Sequence, residues 1–132
     1  MCLLDEVVEW DAQHICCRSG SHRAADHPLR SHGRLGIACG IEYAAQAMAV
    51  HGALAGAAAG ERSELGFLAS LRDVQLHVVR LDDISADLLC DAALVAGDSG
   101  SALYEFALRS GTRQLVSGRA TVVFAANKRL HP

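Results

Sequence analysis

The chain has 132 residues, of which 51 % are hydrophobic, so it can bury the core of one domain but not of two. Its formal charge of -3 and its aromatic content of 5 % exclude the strongly basic, aromatic-lined surface that is typical of nucleic-acid-binding proteins. We therefore expect an aliphatic, alanine-rich core and no nucleic-acid partner.

The first third of the chain predicts two short strands and a loop. Residues 3–10 and 13–18 are predicted to be short strands joined at Asp11-Ala12. Residues 19–34 are polar, rich in His and Arg, and lack periodicity. This stretch is therefore predicted to be a loop.

A long apolar helix is predicted over residues 40–56. The stretch from Tyr43 to Gly60 contains no Asp, Glu, Lys or Arg. Gln46, His51 and several glycines nevertheless make it too weakly hydrophobic for a membrane span, so a buried central helix is expected. The glycine and polar residues at 60–63 are expected to end the helix.

Strands and turns dominate the second half of the chain. Residues 67–81, 86–96, 101–109 and 114–124 predict four strands, separated by turns at 81–83, 97–100 and 110–112. Because the helix is apolar nearly all round, a curved antiparallel sheet must wrap it, and any face left bare must meet a partner. This pattern predicts an α+β, hotdog-type single domain over residues 1–132.

The cysteines and histidines do not indicate a metal site. None of the five cysteines lies in a C-x-x-C pair, so all are expected to be reduced, and most of them structural, thiols of a cytoplasmic protein. The seven histidines are irregularly spaced, and most are expected on the surface or on strands. The acidic residues Asp5 and Glu6 follow Met1 too closely for a secretory leader to be expected.

The candidate chemistry lies at the start of the helix, where Glu42 precedes Gln46 by one helical turn. Residues four apart share a helix face, so the carboxylate and the amide lie on one stripe. A carboxylate among Ala, Met, Val and Ile side chains is poorly solvated, which makes Glu42 a candidate proton donor or acceptor. The alternative is a partly hydrated carboxylate that the helix N-terminus favours.

Several segments resemble a known family of hotdog enzymes. Residues 3–8 resemble the opening strand of the 3-hydroxyacyl-acyl carrier protein dehydratases, and residues 41–46 resemble their helix signature, a Glu followed four residues later by Gln. Residues 40–54, 66–74 and 118–123 are similar to the branch associated with aryl polyene-type synthases. The resemblance implies a hotdog fold, dehydratase activity and a dimer whose two subunits share each site.

The resemblance also implies a catalytic histidine and an oxyanion-binding glycine. His27-Pro28 is similar to the family's histidine motif, and His27 stands nine residues before Gly36, as the family's histidine does before its glycine. His27 precedes Glu42 by fifteen residues, one more than in the family, and the motif's Phe and later prolines are missing. A loop histidine without a catalytic role is the alternative. His32 and His22 fit the spacing less well.

The resemblance implies a reaction on a thioester. His27 would remove the C2 proton, Glu42 would protonate the departing 3-hydroxyl, and the backbone N–H near Gly36 would bind the thioester oxygen. Gln46 would orient Glu42, or alternatively be a core amide satisfied by backbone.

The substrate would arrive on the phosphopantetheine arm of an acyl carrier protein, with no further cofactor. The arginines that could attract this acidic partner are Arg30, Arg34, Arg72 and Arg80.

Two further functions fit the same sequence. A hotdog thioesterase would use Glu42 to activate water and needs no histidine. A catalytically degenerate subunit would pair with an active dehydratase. Homodimerisation and pairing with a second hotdog protein are therefore both expected alternatives.

Overall fold

The computed structural model of the chain describes residues 2–60, 66–98 and 100–124. Its elements are, in chain order, β1 (Glu6–Asp11), β2 (His14–Ser19), α1 (Gly40–Ala58), β3 (Gly66–Leu76), β4 (Leu88–Gly97), β5 (Ser101–Ser110) and β6 (Arg113–Phe124). Over the described residues, six strands form one antiparallel sheet in the order β1-β2-β4-β5-β6-β3. Short 3₁₀ turns at Ser21–Arg23 and Ile37–Cys39 interrupt the loop before α1.

One face of α1 is buried against the sheet. The residues of this face recur at intervals of three and four, as helical geometry requires, and they are Gly40, Tyr43, Ala44, Ala47, Met48 and His51. They pack against apolar side chains of β2, β4, β5 and β6 in a single core. The predicted hotdog fold is confirmed. Within the described residues, no helix is long and apolar enough to cross a membrane.

Gly40 is required by close packing at the start of α1. A Cβ atom on Gly40 would lie 2.9 Å from Leu108 Cδ2 and 3.1 Å from Val116 Cγ2, and both of these side chains are fully buried.

We expect Gly40→Ala to lower the free energy of unfolding by about 1–3 kcal/mol, measured by denaturant titration. Gly56 lies in the same helix with no atom within 4 Å of its Cβ position. Gly56→Ala should therefore raise the free energy by up to about 1 kcal/mol, and equal effects would contradict the packing role.

Two strands differ from their predicted bounds for identifiable reasons. β3 ends at Leu76 rather than at residue 81, after a register shift in which Asp73 takes a left-handed φ of 54°. Beyond Leu76 the chain bends at Val78 and Val79 and bonds the loop before α1. Ile37 N–H donates to Val79 O, and Leu81 N–H donates to Leu35 O.

At the N-terminus, β1 begins at Glu6 instead of residue 3. Leu3 is buried, and its carbonyl accepts bonds from the Ser19 and Ser21 hydroxyls rather than from the sheet ladder. In the turns, the predicted signals at 61–63 and at Ser99 lie outside the described residues.

The edge strand β3 is exposed along its whole length except at Val74. It pairs with β6 on one side and is last in the sheet order, so its other side has no strand neighbour among the described residues. Several large apolar side chains of β3 and β6 face solvent, namely Phe67, Leu68, Leu71, Leu76 and Val123. A long apolar edge of this kind is a template for pairing with another chain.

Candidate active site

Glu42 lies in the first turn of α1, and its side chain is exposed. The expectation of a poorly solvated carboxylate is therefore wrong for the single chain, because the sheet covers the opposite face of the helix. The alternative, a hydrated carboxylate at a helix N-terminus, describes its surroundings better. Only a second molecule seated on this face could exclude water from Glu42.

Gly36 presents an unbonded backbone N–H in the loop that leads into α1. The neighbouring Ile37 N–H bonds the extended segment at Val79, whereas the Gly36 N–H has no acceptor within the described residues. Gly36 is exposed, and a Cβ atom there would meet nothing within 4 Å. An exposed, unpaired N–H held in a bridged loop can bind the oxygen of a ligand carbonyl.

His27 is buried, with only 5 % of its surface exposed, and both of its ring nitrogens have partners. The Leu29 N–H donates to His27 Nδ1 at 3.1 Å, so the neutral ring carries its hydrogen on Nε2. His27 Nε2 lies 3.1 Å from the Tyr43 hydroxyl, which lies 2.7 Å from Ser21 Oγ. Ser21 in turn donates to the Leu3 carbonyl. His27 is therefore the start of a buried hydrogen-bond chain that ends on backbone.

Burial controls the protonation of this chain of groups. Burial, helped by the Arg30 charge, lowers the pKa of His27 below its ordinary value, and Asp26 offsets only part of the effect. Burial likewise raises the pKa of Tyr43 despite its bond to Ser21. At neutral pH the ring of His27 is therefore neutral and Tyr43 keeps its proton.

His27 and Glu42 are brought to the same end of α1 but face different ways. His27 reaches Tyr43, which follows Glu42 in the helix and points into the core. Within the described part of one chain, no hydrogen bond or ion pair joins His27 to Glu42. The structure thus holds the two predicted catalytic side chains near one helix end without coupling them directly.

Gln46 contacts the N-terminal segment. Its Oε1 atom accepts a hydrogen bond of 2.8 Å from the Leu3 N–H. The sequence left two roles open for the Gln46 amide, orienting Glu42 or bonding to backbone, and this bond is of the second kind. Gln46 and the two serine hydroxyls therefore fix Leu3, and with it the strand pair β1–β2, to the start of the helix.

The expectation that most histidines lie on strands or on the surface holds for three of the six described ones, since His14 lies on β2 and His32 and His77 are exposed. His22 and His51 are buried away from the strands, as His27 is. His22 Nε2 bonds the Ile84 carbonyl, which makes it a structural residue. His32 is exposed with a φ of 55°, and with Gly33 it forms the tip of a two-residue turn between Ser31 and Arg34.

Two of the four arginines proposed for carrier binding are used inside the chain. Arg30 donates to the carbonyls of Ala24, Gly33 and His22, and so holds the loop together. Arg80 is paired with Asp82. Arg34 and Arg72 are exposed and form no ion pair with any described residue, so they remain candidates for an acidic partner.

An apolar cavity of about 260 Å³ opens beside α1, one turn beyond Glu42. Its helix wall consists of Ala45, Met48, Ala49 and Gly52, which continue the stripe on which Glu42 lies. The sheet wall consists of Gly66, Leu68, Tyr104, Val122 and Phe124. The cavity could hold an apolar chain whose polar end lies near Glu42.

Sequence reasoning missed Tyr43, Tyr104 and the buried role of His51. The spacing of the helix offered a signal for two of them, because positions 43, 47 and 51 share one face with the core alanines. Tyr104 had only the alternation of β5 as a signal, and that pattern predicts an inward side chain without predicting a cavity.

Comparison with solved structures identifies the fold. The dehydratase heterocomplex ApeI:P from Xenorhabdus doucetiae aligns with a TM-score of 0.83 at 23 % identity, over 94 % of this chain and 83 % of that chain. The thioesterase HI1161 from Haemophilus influenzae aligns with a TM-score of 0.67 at 13 % identity, over 96 % and 82 %. A hypothetical thioesterase with coenzyme A from Streptococcus pneumoniae gives 0.66 at 11 %, over 91 % and 84 %. At these identities the likeness establishes the fold alone.

Sequence comparison identifies the family. No curated protein matches the chain in sequence. A family model described as ApeP-like, ApeP dehydratase, matches residues 1–130. Because that match spans nearly the whole chain and agrees with the hotdog fold, the chain belongs to the ApeP-like family of dehydratases.

Proposed function

We propose that this dehydratase-like protein removes water from a 3-hydroxyacyl thioester carried on the phosphopantetheine arm of an acyl carrier protein. The observation that carries the proposal is the apolar cavity that begins one turn beyond Glu42 on the same helix stripe. An acyl chain in this cavity would leave its thioester end near Glu42 and the open N–H of Gly36. No further cofactor is needed, because the thioester itself makes the C2 proton acidic.

Each proposed residue has one role in the reaction. The Gly36 N–H binds the thioester oxygen, which becomes negatively charged as the C2 proton leaves. Glu42 donates a proton to the 3-hydroxyl, which departs as water. His27 accepts the C2 proton. For this step Nδ1 must exchange its bond with the Leu29 N–H for the substrate, and the lowered pKa of the ring keeps it unprotonated beforehand.

Glu42 can donate a proton only if it is protonated, and an apolar cover favours that form. We propose that a second hotdog subunit, a copy of this chain or a different one, supplies the cover by pairing along β3. The exposed apolar edge of β3 supports this, and Leu68 belongs both to that edge and to the cavity wall. ApeI:P itself is described as a heterocomplex.

Replacing Leu71 tests this pairing. Leu71→Lys places a charge in the apolar edge of β3, so the dissociation constant of the complex should rise by about tenfold or more. Sedimentation of the chain, alone and with a second hotdog protein, measures the effect. Gln75→Lys is the matched control, because Gln75 is an exposed polar residue of the same strand and its change should be small. A wild-type monomer that is fully active would contradict the proposal.

The thioesterase remains the second candidate, and one observation favours it. Both ring nitrogens of His27 are engaged within the chain, and a thioesterase that uses Glu42 to activate water needs no histidine. Product analysis separates the two functions. Incubation with 3-hydroxyacyl carrier protein should yield the enoyl thioester, still attached to the carrier. Release of the free 3-hydroxy acid would favour the thioesterase.

A further inference from the structure

Gly36 is held in place through hydrogen bonds of its two neighbours. The Leu35 carbonyl accepts a bond of 2.8 Å from the Leu81 N–H. The Ile37 N–H donates to the Val79 carbonyl at 2.9 Å. In a trans peptide group the C=O and the N–H that follows it point in opposite directions. Because the Leu35 carbonyl points at Leu81, the Gly36 N–H points away from Leu81 and is open to a ligand.

The carboxylate of Asp82 bonds the other backbone group of Leu35. Only 6 % of the Asp82 side chain is exposed, and its Oδ1 atom accepts the Leu35 N–H at 2.9 Å. Arg80 donates to both carboxylate oxygens, from Nε to Oδ1 at 3.0 Å and from Nη2 to Oδ2. The N–H and the C=O of Leu35 are thus both anchored, the first by Asp82 and the second by Leu81. Two anchors restrict rotation about the backbone bonds of Leu35 and so fix the direction of the Gly36 N–H.

The same carboxylate faces the loop that carries His27. Arg30 Nη1 lies 4.0 Å from Asp82 Oδ2, and only 16 % of the Arg30 side chain is exposed. The Arg30 side chain donates to the Ala24 carbonyl, and its backbone N–H donates to the His27 carbonyl. Asp82 therefore stands where the His27 loop meets the peptide group of Gly36.

A carboxylate suits this position because the groups that meet it are donors. The bonds from Arg80 hold the pKa of Asp82 well below its usual range, burial opposes this only in part, and the Leu35 N–H adds to it. Asp82 is therefore ionised at neutral pH. Asparagine has the same shape, but its NH₂ group is itself a donor and could not accept a bond from Arg80 or Leu35.

We propose that Asp82 is the positioning residue for Gly36, because it holds Leu35 so that the free N–H of Gly36 stays directed at the thioester oxygen. The proposal rests on the proposed binding of that oxygen by Gly36. Asp82 acts through Leu35 and not on the substrate. Its loss should therefore weaken recognition of the carbonyl more than binding of the acyl chain.

Two unreactive acyl-pantetheine analogues test the proposal without turnover. One carries a ketone in place of the thioester, the other carries a methylene group at the carbonyl position, and neither has a 3-hydroxyl. Calorimetry on the full chain in its assembled state gives the ratio of the two affinities. In Asp82→Asn this ratio should fall about fivefold or more, as expected when one hydrogen bond to the carbonyl is lost, while the methylene analogue binds as it does to the wild type.

The matched control is Asp83→Asn, which makes the same chemical change at the neighbouring, exposed carboxylate and should leave the ratio unchanged. Infrared spectra of the bound, ¹³C-labelled ketone give a second reading, because a hydrogen bond lowers the carbonyl stretching frequency. The frequency should rise in Asp82→Asn and stay at the wild-type value in Asp83→Asn.

A merely structural Asp82 would give a different pattern. Asp82→Asn would then lower the melting temperature and weaken both analogues alike, with the ratio and the carbonyl frequency unchanged. Should Asp82→Asn fail to fold, Arg80→Gln takes its place, because it removes the donor that holds the carboxylate from a partly exposed position. The same fall in the ratio and the same rise in frequency are expected.

The possible outcomes distinguish this proposal from the proposed reaction. An unchanged ratio or an unchanged frequency would overturn the positioning role, as would a wild type that binds neither analogue. If the wild type forms the enoyl thioester but the ratio does not depend on Asp82, the reaction stands and the positioning role fails. If the ratio falls as expected in a protein that forms no enoyl thioester, the positioning role stands and the dehydration fails.

Discussion

Replacing Glu42 with Gln should lower the dehydration rate by about 10²-fold or more, because the amide keeps the shape of the side chain but cannot donate the proton. The protein should remain folded. Glu42 is exposed in the single chain, and substitutions at exposed positions usually change the free energy of unfolding by no more than about 0.5 kcal/mol. Turnover of a 3-hydroxyacyl carrier substrate, measured at saturation, gives the effect on kcat.

The matched control for this experiment is Glu9→Gln. Glu9 is an exposed glutamate on β1, distant in sequence from the helix, and it forms no ion pair within the described residues. Its loss should leave turnover unchanged. If Glu42→Gln also retains full turnover, Glu42 is only a residue favoured at a helix start, and the proposed reaction loses its proton donor.

Replacing His27 with Ala should abolish dehydration if the ring is the C2 base. The substitution also breaks the buried chain of hydrogen bonds through Tyr43, so the loss of activity alone would be ambiguous. Tyr43→Phe breaks the same chain at the next residue and keeps the imidazole. We expect His27→Ala to remove activity. Tyr43→Phe should change kcat by less than about tenfold, because the loss of one polar contact costs up to about 1.4 kcal/mol, which corresponds to a factor of about ten in rate.

The pH dependence gives an independent check on the role of His27. Burial and the Arg30 charge lower the pKa of the ring, so the neutral base persists to a lower pH than an ordinary imidazole would allow. The rate should therefore fall on the acidic side with a midpoint below about 6.5, the ordinary value for histidine. If His27→Ala and Tyr43→Phe lose stability alike and both still dehydrate the substrate, His27 is structural and another group removes the C2 proton.

The order and type of the secondary-structure elements could be predicted because most of them had a local signal, either an uncharged run, an alternating pattern or a tight turn. The uncharged run from Tyr43 to Gly60 predicted the helix, and the alternating strands with tight turns predicted the sheet. What could not be predicted were the ends of β3 and β1. There, long-range bonds to residues 35–37 and to the Ser19 and Ser21 hydroxyls replace the regular ladder.

The site was only partly predictable, for two physical reasons. The resemblance implied His27, Gly36 and Glu42 as site residues, but it could not give the directions of the His27 and Glu42 side chains. Tyr43 points into the core and engages His27, whereas its neighbour Glu42 faces outward. The cavity could not be predicted either, because it depends on the space left between α1 at Gly52 and strands β3 and β6, an arrangement with no local sequence signal.

The proposed chemistry predicts a labelling pattern that can be measured in the reverse direction. An enoyl thioester on carrier protein, incubated with the wild-type protein and its subunit partner in D₂O, should gain a hydroxyl at C3 and one deuterium at C2, because His27 returns a solvent-derived proton to that carbon. Mass spectrometry of the carrier-bound acyl group would show both changes, and Glu42→Gln should suppress them together. Release of the free enoic acid without deuterium at C2, unaffected by His27→Ala, would contradict the dehydratase proposal directly.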